Sequence, residues 1–260
     1  MSRISSAFKK GRPAFIGYLT LGYPTLEMSL EAAAVLAESG CDILELGIPF
    51  SDPLADGTTI QRASQAALEG GITPRRCLEA AALLRGRANI PLLFMSYYNP
   101  ILALGQKAFC AACREAGVNG FLMVDLPPEE GENLEAEAKN NGLDMVYLLA
   151  PTSTRERVRL VAQHSRGFIY LVSLTGVTGP REALPPELEQ FVARVRPETS
   201  LPLCVGFGIA GPEQAKRVAR VADGVVVGSR LVQLLEEPQP LEKLKSFALG
   251  LRKALDSIRG

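Results

Sequence analysis

Leu203-Cys204-Val205-Gly206-Phe207-Gly208-Ile209-Ala210-Gly211, followed after a helical segment by Gly224-Val225-Val226-Val227-Gly228-Ser229-Arg230, decides between two α/β architectures. Read alone, Gly206 to Gly211 fits the dinucleotide fingerprint G-x-G-x-x-G. That fingerprint belongs near the start of a βαβ unit, with an acid about 20 residues on to hold a ribose. Here it leaves the next-to-last strand of the chain, and the strand after it runs into Gly228-Ser229 at the start of a short helical segment, 230–236. Glycine turns after the last two strands, the second opening a helix, match the phosphate site of a closed eight-stranded barrel. On this reading Gly208 lets backbone approach a phosphate, and Gly228 and Ser229 present N–H groups at the positive end of a helix dipole.

Working outward, short apolar runs alternate with longer segments of helical period along the whole chain. The strand candidates are 14–19, 43–46, 92–95, 121–124, 145–149, 168–172, 203–206 and 224–227. Between them Thr25, Thr73-Pro74 and Ser153 open helices, and Pro212-Glu213 opens the one after Gly211. An extra helix is expected at 58–68. The last helix carries Leu241, Leu244, Phe247, Leu251, Leu255 and Ile258 at spacings of three and four, the stripe of a helix lying on an outer face. Eight strands each followed by a helix predict a single (β/α)8, or TIM, barrel domain over residues 1–260, with extra short helices.

Composition agrees and excludes other classes. Hydrophobic residues make up 47% and charged residues 22%, as in ordinary globular chains. Lys plus Arg equals Asp plus Glu at 28 each, so no net field draws the chain to nucleic acid or an anionic membrane. The apolar runs are too short for a membrane-spanning helix. Pro13 and Gly17 break the N-terminal apolar stretch, so a cytoplasmic protein is expected rather than a secreted one. Five scattered cysteines fit reduced thiols better than a disulfide framework.

In such a barrel the chemistry sits at the C-terminal ends of the strands. Strand alternation in Ile43-Leu44-Glu45-Leu46-Gly47 sets Ile43, Glu45 and Gly47 on one face and the leucines on the other. With the leucines toward the helices, Glu45 points into the barrel, where desolvation raises the pKa of a general acid. In the following Pro49-Phe50-Ser51-Asp52-Pro53-Leu54-Ala55-Asp56-Gly57-Thr58, Asp56 and Thr58 either cap the extra helix or aim at the pocket. Asp125, ending the fourth strand, is a catalytic candidate or the cap of the helix through Glu130. The loop Ser173 to Pro180 is rich in small residues and reads either as a long surface turn or as a mobile lid, with Thr178 and Gly179 able to reach the phosphate side. His164, the one histidine, is expected at the surface, and Cys110 and Cys113 as small packing residues. No lysine lies in any strand candidate, which removes a Schiff-base aldolase.

Glu45-Leu46-Gly47-Ile48-Pro49-Phe50-Ser51-Asp52-Pro53-Leu54-Ala55-Asp56-Gly57 resembles the signature of the tryptophan synthase alpha-chain family. Tyr97-Tyr98-Asn99-Pro100, Asp125-Leu126-Pro127, Gly176-Val177-Thr178-Gly179, Gly206-Phe207-Gly208 and Gly228-Ser229 follow in that family's order. The resemblance implies retro-aldol cleavage of indole-3-glycerol phosphate to indole and glyceraldehyde 3-phosphate, with no cofactor or metal in this chain. It further implies that Glu45 and Asp56 are catalytic and Tyr170 supports them. Tyr18, Tyr97 and Phe207 line an indole slot, Gly179, Gly208, Gly228 and Ser229 hold the phosphate, and Asp125 and Thr178 bind substrate. A pyridoxal-phosphate-dependent beta chain is the implied partner, in an alpha2-beta2 tetramer. Thr58, Tyr23 and Leu174 depart from the residues common in the family, which bears on loop closure more than on chemistry.

Overall fold

A computed structural model describes residues 2–172, 186–206 and 208–258. Its strands are β1 (Ala14–Thr20), β2 (Ile43–Gly47), β3 (Leu92–Ser96), β4 (Gly120–Met123), a β5 divided into Asp144–Val146 and Leu148–Leu149, β6 (Ile169–Val172), β7 (Leu203–Gly206) and β8 (Gly224–Val227). All eight runs expected from the sequence are present. Every pairing is parallel, and β1 pairs with both β2 and β8. The fifth run departs from expectation by splitting at Tyr147. Its first segment pairs with β4, Val146 opposite Leu122, and its second with β6, Leu148 opposite Tyr170. The Tyr170 N–H donates to the Tyr147 carbonyl at 3.0 Å across the break. A single run thus serves both ends of the ladder, and the sheet closes on itself.

Alternation along the strands sorts the side chains. Ile16, Ile43, Leu93, Leu122, Val146, Phe168, Cys204 and Val226 fill the barrel interior, while Phe15, Leu19, Leu44 and Leu46 pack outward in the core beneath the helices. Closure leaves the bottom of the barrel open to water unless something fills it. A short helix, Arg3–Ala7, which the sequence reading left unassigned, does so by placing the fully buried Ile4 and Ala7 against that interior set. The helices start largely as their sequences direct: Thr25 and Thr73 accept from the N–H groups three residues on. The helix Arg155–His164 is capped by Thr154 and not by Ser153, whose hydroxyl instead accepts from the Ala150 N–H in the preceding turn.

The last helix, Pro240–Asp256, buries Leu244, Leu251 and Leu255, and adds a polar anchor. Asp42, 1% exposed, accepts from the Phe15 N–H at 3.0 Å, Arg252 Nη1 at 2.8 Å and Arg12 Nη2 at 3.2 Å. Arg252 Nη2 also donates to the Pro13 carbonyl at 3.0 Å. The charges lie where water is excluded, so removing one partner leaves the other poorly compensated. Arg252→Leu is expected to destabilise the fold by about 3 kcal/mol, the low end for a broken buried pair because Arg12 remains. Urea denaturation checks this, and a loss below about 1 kcal/mol would place the pair among ordinary surface ion pairs.

Candidate active site

At the C-terminal mouth of the barrel the strand ends surround a cavity of about 570 Å³. Its wall includes Tyr18 from β1, Glu45 from β2, Asp56 from the loop that follows, Tyr170 from β6 and Gly228 after β8. Apolar side chains form much of the remainder, among them Met95, Leu122 and Leu148. The sequence reading missed these three. Each is an inward position of a strand and carries no chemistry of its own, so pattern alone marked them as core.

Glu45 lies where alternation put it, 1% exposed, and neither carboxylate oxygen has a hydrogen-bond partner among the described residues. Burial first, and then the charge of Asp56, push its pKa up to about 8. A carboxyl left unpaired in the interior of a protein is costly, and such a cost persists where the group is used. Asp56 is half-buried and raised to about 6 by burial, against a hydrogen bond from Tyr97 that holds its charged form. It does not cap the extra helix, which spans Thr58–Glu69 behind an N-cap at Gly57 without any side-chain cap bond. Thr58 is the first residue of that helix, the position where proline is also favoured.

Tyr97 is not among the described residues on the cavity wall; its hydroxyl accepts from the Ala55 N–H at 2.9 Å and bonds Asp56, and its ring stacks on Phe50 at 5.0 Å. It braces the loop that carries Asp56. Asp125 is on the cavity wall, and its carboxylate accepts from the Tyr98 N–H at 2.8 Å. It therefore caps the helix Tyr98–Leu104 after β3, rather than the short turn through Glu130 after its own strand. Tyr170 leans across Gly206, where a Cβ would lie 2.3 Å from its hydroxyl oxygen. Burial and the nearby Glu45 raise its pKa well above the usual phenol value, so the hydroxyl stays a donor.

At the phosphate end, Gly228 is on the cavity wall and caps the helix Ser229–Leu234. Ser229 opens that helix, and Gly208 follows β7 with φ +52° and open space around it. Neither of these two lines the cavity itself. Thr178, Gly179, Phe207 and the loop 173–180 lie outside the described residues. His164 is away from the site, with Nδ1 at 2.9 Å from Glu135. No group of three His, Cys, Asp or Glu side chains suited to a metal occurs among the described residues.

Fold and site define a (β/α)8 barrel with two carboxylates of raised pKa, Glu45 and Asp56, on a largely apolar cavity at the strand ends. The family model for the tryptophan synthase alpha chain matches residues 4–254. The tryptophan synthase alpha chain of Dehalococcoides mccartyi is 54% identical, over 98% of this chain and all of that protein. That of Chloroflexus aurantiacus is 46% identical over 99% of each. Among solved structures, tryptophan synthase of Mycobacterium tuberculosis superposes with a TM-score of 0.91 at 40% identity, covering 98% of both chains. The alpha subunit from Legionella pneumophila gives 0.92 at 37%, covering 99% of this chain and 100% of that one. The chain belongs to the tryptophan synthase alpha-chain family, and it is a lyase of tryptophan biosynthesis.

Glu45 also leaves a mark on stability. Its carboxyl titrates near 4.5 when exposed and near 8 in the fold. Between those values the unfolded chain has lost a proton that the folded chain keeps, so stability falls as pH rises, by up to about 1.4 kcal/mol per unit. Glu45→Gln removes that slope. The variant is expected to gain on wild type by a few kcal/mol between pH 4.5 and 8 in denaturation curves. A constant difference across that range would mean that the carboxyl is solvated.

Proposed function

We propose that Glu45 is the acid and base of the cleavage of indole-3-glycerol phosphate to indole and glyceraldehyde 3-phosphate, and that Asp56 holds the indole ring. What carries this reading is a single observation: Glu45 is buried at the cavity with neither carboxylate oxygen bonded among the described residues, an environment that pushes its pKa up to about 8. The protonated carboxyl gives its proton to indole C3. As the bond from C3 to the side chain breaks, its electrons stay with the ring and the side-chain hydroxyl carbon becomes an aldehyde. The hydroxyl proton passes to the Glu45 carboxylate, which is restored to its starting form.

Asp56, ionised above about pH 6, accepts from the indole N–H and steadies the positive charge that C3 protonation places on the ring. Tyr170 supports Glu45 or the substrate hydroxyls, and Tyr18 with Phe207 walls the indole slot. Asp125 and Thr178 complete the substrate contacts. Gly179, Gly208, Gly228 and Ser229 hold the phosphate through backbone and hydroxyl groups. Proton transfer and charge placement suffice for this step, so the chain itself calls for no cofactor.

Leu54, at the tip of the loop that carries Asp56, is 92% exposed. One exposed leucine is ordinary on a protein surface, and the case for a partner rests on the family resemblance, in which this loop docks against a second chain. We take that partner to be a tryptophan synthase beta chain, which holds pyridoxal phosphate and receives the indole, in an alpha2-beta2 tetramer. The chain then works as one barrel domain in the cytoplasm; no helix among the described residues is long and apolar enough to cross a membrane.

Indole release measured with and without a beta chain tests the assignment. The partner is expected to accelerate wild type, and Glu45→Gln to lose at least about 100-fold in both conditions. Release by the variant at the wild-type rate would remove Glu45 from the mechanism. The pH profile supplies a second test. For wild type, kcat/KM is expected to rise through pH about 6 as Asp56 ionises and to fall through about 8 as Glu45 loses its proton. Asp56→Asn abolishes the acidic limb and, by removing a negative neighbour, moves the basic limb to lower pH. A basic limb that stays in place would show that Asp56 does not act on Glu45.

A further inference from the structure

Tyr18 stands level with Glu45 across the β1–β2 ladder, and Thr20 level with Gly47. Residues two apart on a strand share a face, so Tyr18 and Thr20 both point inward. Their hydroxyls meet at 3.1 Å. The Tyr18 ring leans toward the strand ends and fills the space beside Gly47: a Cβ there would lie 2.2 Å from the phenol oxygen and 2.7 Å from Cζ. Nonbonded atoms do not approach so closely. On the other side, a Cβ at Gly228 would meet Tyr18 Cβ and Cδ1 at 3.4 Å.

The same ring packs in a small separate cluster with Tyr23, Ala63 and Val232. Ala63 belongs to the helix that follows Asp56, and Val232 to the helix that follows Gly228. One side chain therefore touches the strand of Glu45, the element behind Asp56 and the turn assigned to phosphate. Thr20 is 1% exposed and does not line the cavity, and neither does Gly47.

We propose that Gly47 and Thr20 are positioning residues that act through Tyr18, Gly47 by leaving room for its ring and Thr20 by bonding its hydroxyl. Together they set the spacing between the two carboxylates and the Gly228 turn. The inference rests on the lyase reading above, because that spacing matters only to a substrate that reaches both. A ring displaced by even part of an ångström misaligns the reacting groups, which lowers kcat more than it raises KM.

Steady-state indole release with the beta chain present, together with thermal denaturation of each variant, tests this. Gly47→Ala is expected to stay folded and to lose kcat by about 100-fold. Adding Tyr18→Phe, which keeps the ring and removes the phenol oxygen nearest the contested space, is expected to restore at least about tenfold over Gly47→Ala alone, a sign that the two sites are coupled. Thr20→Val keeps the shape without the hydroxyl and is expected to lower kcat about fivefold, the effect of one neutral hydrogen bond, with KM within about twofold. A folded Gly47→Ala enzyme that gains nothing from Tyr18→Phe would overturn the proposal. So would a Thr20→Val enzyme with wild-type kcat, and that arm stands even where Gly47→Ala fails to fold. Absence of indole release from wild type would overturn the lyase reading, and this proposal with it.

Discussion

A parallel sheet that closes on itself gives each inward side chain neighbours on both sides and excludes water from all but the outermost layer. This constraint governs the molecule. The lower layers comply with apolar groups, Ile16, Ile43, Leu93 and Phe168 among them, and the N-terminal helix fills the bottom with Ile4. At the mouth a carboxyl takes an inward position beside the cavity. Glu45 sits one strand step above Ile43, close enough to the cavity to meet a ligand and deep enough to lose its water. The resulting cost falls on stability and shows as a carboxyl whose pKa is pushed up to about 8.

The neighbours of Glu45 are arranged by the same geometry. Tyr18 and Tyr170 come from strands on opposite sides of the mouth, and each lies across a glycine at a strand end, Gly47 and Gly206. Large rings fit over an otherwise crowded layer because those positions carry no side chain. Asp56 arrives differently. It hangs on a loop that Tyr97 braces from the β3 side, stacking on Phe50 of the loop itself, so its charge is steadied by a phenol rather than by a cation. With no positive group in that brace, Asp56 keeps its influence on Glu45, and the two carboxylates differ by about two units, from about 6 to about 8. One is charged and the other protonated at the same pH, which acid–base cleavage requires.

The opposite end of the barrel carries the fixed ionic anchor. Asp42 starts β2 from a position where Phe15, Arg12 and Arg252 converge, tying the last helix to the first two strands. There the buried carboxylate accepts from one backbone N–H and two guanidinium groups. Asp42 and Glu45 are three residues apart and both buried; one holds the fold and the other is free to react.

Much of this was legible in the primary structure because it depends on local periodicity. Alternation in 43–47 placed Glu45 inward and the leucines outward, the eight apolar runs predicted the barrel, and Thr25 and Thr73 marked helix starts by a bond that spans three residues. The ordered motifs identified the family. What only the tertiary structure decided involves partners far apart in the chain. Tyr97 braces Ala55 from 42 residues away, and Asp42 meets Arg252 across 210. Asp125 serves the helix of the preceding unit. The break of β5 at Tyr147 follows from a single run having to pair with β4 on one side and β6 on the other. Periodicity tells each residue which way to face; what it meets there is set by the closure of the barrel, which brings together strands that no local pattern relates.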